Sequence, residues 1–514
     1  MGKDEPCGIP DPISIGFSRR VRDALKQREE NRQPPWTIAG LARAIGIENN
    51  QISNLNRYVN IGVSSSGYTH WRPDWMLRTA KVLEIPADFD LQLWNPLAAG
   101  GAGWMGAASA PDRAVKLRIG LASEYPDLFE IAFEIYAACA DARAREHGGS
   151  FQIDIDKPGS REKVHGKFLG NCSNYHIIML DDPWIPEFEP KLLDLGQLPL
   201  EEFQDSRLLE GLFLQPLLEI CRFPIGSGKL CGLPILGDVD FLCYDTAAPW
   251  NDRLRDLFTG SVIDPDQLKC EILSENRIRT PGRDEAGPCP AMSFLIRNLE
   301  DEDLVENFWL LLRAYGLEDE YRPQEDEEVR IPSDVARRAS DWMYEVDPEW
   351  NRRLSGGELL DNLVAGSGPA LTFAWPNTIL PEVRNDPSIA KRIGLHQFAR
   401  QALLGAHVLA IPEGSGGQRE QIEAARAILT LTTNPQMQFI LADLGSIPVL
   451  NGFEQLLELR KRPFWKENYA TMVEALKSSH PRPRTPRWRE FARQLAEQLR
   501  RRRFCDVPGL IRFI

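Results

Sequence analysis

YHIIMLDDPWIPEFEPKLLDL, residues 175–195, is the stretch on which the reading of this chain turns. Its first eight residues form an apolar run too short for a helix, closed by two carboxylates and then Pro183. That is the signature of a buried strand running into a turn. Working outward, VKLRIGLAS (115–123) and FQIDID (151–156) read as two further strands, and residues 127–144 between them as an amphipathic helix. Strand and helix in alternation predict an open α/β sheet, in which ligands gather at the carboxyl ends of strands. Asp181 and Asp182 are neighbours, so on a continuous strand they are expected to point to opposite faces.

The chain around this stretch has 514 residues, enough for two or three domains and a large core. Hydrophobic residues make up 43% and charged residues 26%, ordinary for a soluble globular protein. No apolar run approaches the length of a membrane span. The opening residues MGKDEPCGIPDPISIG have neither the basic nor the apolar region of a secretory signal, so a cytoplasmic location is expected. The nine cysteines are scattered without metal-type pairing, which fits reduced thiols. The net charge of −14 argues against nucleic-acid binding by the whole surface. Charge is uneven, however. Residues 1–90 hold 12 Lys and Arg against 11 Asp and Glu, and residues 481–514 hold 10 Arg against 3 acids.

Near the N-terminus, TIAGLARAIGIENNQISNLN (37–56) sets Ile38, Leu41, Ala42 and Ile45 at helical spacing. Thr37 starts the helix after two prolines, and Ala42 is small enough for a second helix to cross closely. Gly46 supplies the tight turn, Ile47 plugs the gap, and Ile52 and Leu55 anchor a second short helix. Upstream, Val21 and Leu25 mark the inner face of an earlier helix. This pattern resembles the Cro/repressor-type helix-turn-helix family, with a longer loop over residues 60–71 as a departure. The resemblance implies that Asn49, Asn50, Gln51 and Asn54 face base edges of double-stranded DNA and that Arg57 touches phosphate. With few cations on that helix, tight binding calls for a homodimer on paired half-sites. A helical hairpin without a DNA role is the other reading of the same residues.

Residues 95–114, NPLAAGGAGWMGAASAPDRA, are rich in Ala and Gly and read as a linker. From residue 115 the chain resembles the family 1 extracellular solute-binding proteins, of maltose-binding type. GKLCGLPILGDVDFLCYD (228–245) matches the strand that crosses between lobes, and ENFWLLLRAYG (306–316) a helix of the second lobe. GSGPALTFAWPNTIL (366–380) matches the strand that delivers an aromatic to the cleft, GAHVLAIPEGSG (405–416) the return crossing, and RPRTPRW (482–488) a late turn. The expected fold is therefore a small all-α helix-turn-helix domain (1–94), the linker, and a two-lobed α/β fold of the type 2 periplasmic-binding-protein class (115–480), completed by a basic helix and tail (481–514).

That resemblance implies a small polar ligand of carbohydrate type, with Glu124, Tyr125, Asp181, Asp182, Trp184, Asp238 and Trp375 as ligand-binding candidates. Each has a structural alternative: Trp184 and Trp375 as core or hinge packing, Asp181 or Asp182 as a helix cap, Asp238 as a partner for buried backbone. Gly405-Ala406-His407 departs from the Gly-Gly pair common in relatives, and His407 reads as structural. No catalytic residues are evident: GSGK (226–229) lacks phosphate-loop spacing, and the seven histidines show no metal-ligand pattern. No enzyme activity, cofactor, metal or membrane is expected. The combined expectation is a cytosolic, ligand-responsive DNA-binding regulator. The alternative is a sensor whose N-terminal unit docks protein.

Overall fold

The computed structural model describes residues 21–22, 25–26, 38, 41–42, 114–121, 126–146, 148–156, 161–225, 228–248, 250, 252–259, 263–278, 293–296, 300–317, 329–347, 356–365, 370–376, 389, 391–398, 402–434, 437–438, 441–442, 447–451, 463–501 and 510–513. The chain divides into two compact units. One comprises Met1–Leu117 with Asp127–Asp154, and the other Arg118–Pro126 with Ile155–Ile514. The proposed base-facing residues Asn49, Asn50, Gln51, Asn54 and Arg57 lie outside the described residues, as do Glu124 and Tyr125 and nearly all of the predicted linker.

In the first unit, residues 21–22, 25–26, 38 and 41–42 are helical, and Val21, Leu41 and Ala42 are buried. Most of strand β1 (Ala114–Gly120), helix α1 (Pro126–Glu146) and strand β2 (Ser150–Asp156) follow. Phe129, Ala132, Phe133, Tyr136, Ala140 and Ala144 recur at three- and four-residue spacing along α1 and are buried. Tyr136 meets Phe151 edge-on at 5.7 Å, and the Phe151 N–H donates to Asp141 Oδ1 at 2.8 Å.

The second unit holds two main sheets. Its strands are β3 (Ile177–Asp181), β4 (Arg222–Phe223), β5 (Lys229–Leu230), β6 (Leu233–Val239), β7 (Phe241–Asp245), β8 (Ser293–Leu295), β9 (Val329–Pro332), β10 (Ala370–Ala374), β11 (Ile393–His396), β12 (Leu403–Ala410), β13 (His480–Pro481) and β14 (Leu510–Phe513). β12 is the centre of the first sheet, and all eight of its residues are buried, as are all seven of β6. Strands covered on both faces are expected to be near-continuously apolar, as LLGAHVLA and LPILGDV largely are.

Three strands pair with β12, and a strand has only two edges. β6 runs antiparallel along Leu404–Leu409 on one edge. The other edge is shared: β13 pairs parallel at Leu403 and Leu404, and β3 pairs antiparallel from His407 to Ala410. β1 continues the sheet beyond β3, pairing parallel at Ile119 and Gly120. Gly405 and Ala406 therefore face a gap where two incoming strands end.

The second sheet has the order β11-β7-β10-β8. β6 and β7 are consecutive yet lie in different sheets, and only Asp240 separates them. β11 and β12 make the return passage. The segment 228–245 thus crosses between sheets, as its resemblance implied. Helix α2 (Arg161–Asn171) precedes β3. Helix α3 (Asp301–Ala314) starts at a capping box, in which the Glu300 N–H donates to Asp303 Oδ2 at 2.9 Å, and three acids in its first turn complement the helix dipole. Helix α4 (Gln418–Thr433) follows β12. In the last helix, α5 (Trp488–Arg500), Trp488, Phe491, Leu495 and Leu499 form one buried face, and Arg500 pairs with Asp301 of α3 at 2.6 Å. The apolar C-terminal segment is paired: β14 lies antiparallel on β9.

Candidate functional site

The gap at Gly405 and Ala406 is filled by charge. β13 ends at Pro481, so Arg482 comes next to it. β3 ends at Asp181, and a 3-10 turn begins at Asp182. That turn corrects the expectation that Asp181 and Asp182 point apart, because the second aspartate has already left the strand. Both carboxylates accept from the Arg482 Nη2. Glu306, on α3, accepts from Nη1 of the same guanidinium. Asp182 Oδ1 also accepts the Ala406 N–H at 3.0 Å, closing the gap in the ladder. Neither aspartate serves as the helix cap that was the alternative for it: Asp181 makes no side-chain cap bond, and Asp182 is the first residue of the turn.

These groups are out of water. The Arg482 side chain is 3% exposed and those of Asp181, Asp182 and Glu306 are 2%, 0% and 6% exposed. Burial works against the Arg482 charge, but Asp182 and Glu306 outweigh it and its pKa is raised. Asp240, at the crossover between sheets, is buried and accepts the Leu403 N–H at 2.8 Å. Burial, with Glu306 nearby, pushes its carboxyl up to about 8 although the Leu403 N–H opposes the shift, so it is protonated near neutral pH.

Trp375 immediately follows β10 of the second sheet and is half-buried. Its ring lies beside the first sheet. The Arg482 guanidinium carbon is 5.6 Å from the ring centroid, and a Cβ on Gly405 would stand 3.0 Å from Trp375 Cζ3. The glycine gives the indole its seat. Trp375 thus stands against the guanidinium that Asp181 and Asp182 share.

The other candidates fall elsewhere. Trp184 is fully buried, edge-on to the His165 ring at 4.9 Å, with His165 held by Glu187 at 2.9 Å. It packs in the core against the His165 ring with no exposed surface, which answers to core packing, the alternative given for it, rather than to ring stacking in a cleft. Asp238 is buried in β6 opposite Gly405, and its Oδ1 accepts the Val239 N–H at 3.1 Å, the backbone-satisfying alternative. His407 is buried in β12 opposite Asp181.

Arg482, Glu306 and Asp240 were not among the residues singled out from sequence. A signal existed for two of them: Glu306 opens an apolar helical run and Asp240 interrupts two apolar strands, and charge in such places is costly unless partnered. Arg482 lies in a turn with several arginines, and nothing local distinguishes it. Among the described residues, no group of three His, Cys, Asp or Glu side chains could hold a metal ion, and no helix is long and apolar enough to cross a membrane.

No protein-family model matches this chain, nor does any curated protein. Solved structures do. The maltose-bound MalE3 of T. maritima superposes with a TM-score of 0.54 at 18% identity, covering 76% of this chain and 95% of its own. Over that share of its length the chain has the fold of the sugar-binding proteins. The sugar-binding protein MalE from Xanthomonas citri is similar at TM-score 0.53 and 15% identity, over 75% of this chain and 91% of its own. Thiaminase I from Bacillus thiaminolyticus also matches, at TM-score 0.51 and 13% identity, over 75% and 99%. Binders and an enzyme share this architecture, so fold alone does not choose between them; the residues at the site must.

Proposed function

We propose that the large unit binds a small polar ligand of carbohydrate type at Trp375 and the Arg482 centre. The observation that carries the reading is a half-buried indole seated beside Arg482, whose guanidinium holds buried carboxylates, where two sheets meet. An aromatic face covers the apolar side of a sugar ring while carboxylates and guanidinium take its hydroxyls. The arrangement supplies orientation and hydrogen bonds. A thermal-shift screen of saccharides and polyols tests the reading, since a ligand bound only by the folded state raises its melting temperature. With the best hit, Trp375→Ala is expected to weaken binding by about 1–3 kcal/mol while the melting curve holds. Unchanged affinity removes Trp375 from the site.

The N-terminal unit suggests the use of this binding. In our reading the protein is a cytosolic regulator that binds double-stranded DNA as a homodimer and responds to the ligand. The support is the motif at residues 37–56, with Leu41 and Ala42 helical and buried as that motif requires. A gel-shift on the protein's own upstream DNA, with and without ligand, tests it. Replacing Asn50 and Gln51 by Ala should relax sequence preference, whereas loss of Arg57 should weaken all sequences alike. Absence of any shift at low salt favours the alternative sensor, in which this unit docks protein.

A further inference from the structure

The cations of this acidic chain gather on one face of the second unit. Helix α2 exposes Lys163 and Gly166, and Lys167 follows one turn beyond Lys163 on the same side. Lys167 and Arg118 of β1 share a single carboxylate, Asp156, at 2.6 and 3.3 Å, and their side chains are 40% and 43% exposed. Two cations on one carboxylate leave this group positive where it meets water.

Helix α5 continues the row. Arg489 Nη1 reaches α2, 3.7 Å from where a Cβ on Gly166 would stand. Arg493 follows one turn along, and both arginines are exposed. Other arginines of the segment are tied to acids: Arg487 to Glu490, Arg500 to Asp301 and Arg501 to Glu497. Arg118, Lys167, Lys163, Arg489 and Arg493 thus run in sequence across a strand edge and two neighbouring helices.

The form of the row favours one partner. A small anion is held by donors that converge on a point. These cations are strung out over several turns, which suits a polymer carrying a phosphate at every step. A bilayer suits it less, because helices that lie on membranes set an apolar face into the acyl chains. Here the apolar residues of both helices, Val164 and Phe168 on α2 and Phe491, Leu495 and Leu499 on α5, are buried in the fold. The motif at residues 37–56 adds a need: few cations lie on its second helix, so phosphate contacts have to come from elsewhere.

We infer that this row binds the phosphate backbone of double-stranded DNA and supplies affinity that is independent of sequence. It rests on the DNA-binding reading above and adds a second contact surface to it.

Fluorescence polarisation on the full chain, over a salt series, compares a labelled duplex from the protein's own upstream DNA with a scrambled duplex. Lys163→Glu combined with Arg493→Glu is expected to weaken both duplexes alike, by at least about tenfold at low salt. The slope of log K against log salt should fall by about 2, since each lost phosphate contact is worth about 0.9. Parent affinity and slope in this variant overturn the inference, and so does a parent that binds neither duplex. Lys163→Gln combined with Arg493→Gln guards against a folding defect. Both side chains are exposed, so its melting curve is expected to match the parent's while its slope falls by the same amount; a parent-like slope overturns the inference.

Asn50→Ala combined with Gln51→Ala separates the two readings. If this variant keeps the preference for the upstream duplex while the glutamate variant loses affinity, the recognition-helix assignment falls and the row stands. If it loses the preference while the glutamate variant binds like the parent, the row falls and the recognition helix stands. Vesicles of phosphatidylcholine with about 30% phosphatidylserine are the last probe. Tighter binding of the parent to vesicles than to either duplex, lost in the glutamate variant, assigns the row to an anionic membrane and overturns the inference.

Discussion

At the scale of single residues, Arg482 is the side chain on which most depends. Its guanidinium donates to Asp181, Asp182 and Glu306. Arg482→Met would remove the guanidinium that three buried carboxylates share and is expected to destabilise the protein by about 3–5 kcal/mol, read as a shift in the urea midpoint. Asp240 gives a prediction in pH. Its folded pKa, about 8, lies above the ordinary 3.8, so the folded chain keeps a proton that the unfolded chain releases. Its contribution is complete below the unfolded value and is lost as pH rises through about 8. Melting curves between pH 5 and 8 should therefore show a decline that Asp240→Asn flattens, because the amide oxygen still accepts from Leu403 and no longer titrates. An equal decline in the variant would assign the slope to other groups.

At the scale of elements, the central device is β12 with two strand ends sharing one edge. Close backbone approach holds its other side. A Cβ on Gly232 would stand 2.4 Å from the Leu409 carbonyl oxygen, and backbone in a covered strand cannot step aside cheaply. Gly232→Ala is expected to cost about 1–3 kcal/mol in chemical denaturation, and a neutral outcome would show that β6 can slide on β12. Individual elements were largely legible in advance. The run 151–156 is a strand, residues 127–144 lie within α1, and Phe491, Leu495 and Leu499 mark the inner face of α5, because apolar period is a local property. The end of β3 was not legible. Whether Asp182 continues a strand or begins a turn depends on Pro183 and on Arg482, three hundred positions away in the chain.

At the scale of the whole molecule, the protein carries free thiols of very different access. Cys172, Cys221, Cys231 and Cys243 are buried, and Cys270 is exposed. Burial pushes Cys231 up to about 12 and raises Cys221 and Cys243 as well, so little reactive thiolate forms at these sites. Brief labelling of the native protein with a maleimide, followed by peptide mapping, should modify Cys270 well before these four. Early modification of Cys221 or Cys231 would show that the β4–β5 hairpin opens readily.

What the sequence determined by itself was the kind of fold. The alternation of strands and helices follows from patterns carried within one or two elements, whereas the crossing at 228–245 and the place of Trp375 after a strand came from the resemblance to the solute-binding proteins. What only the tertiary structure decided was which charges face each other. Trp184 and Trp375 are both tryptophans just beyond strand ends, yet one is fully buried against His165 and the other sits half-buried on Gly405. Asp181, Asp182, Glu306 and Arg482 come from three segments far apart in the chain, and no local pattern encodes their meeting. Burial and ion pairing are properties of space, set when the strands close around β12, and that closure turns four ordinary charged residues into one polar centre.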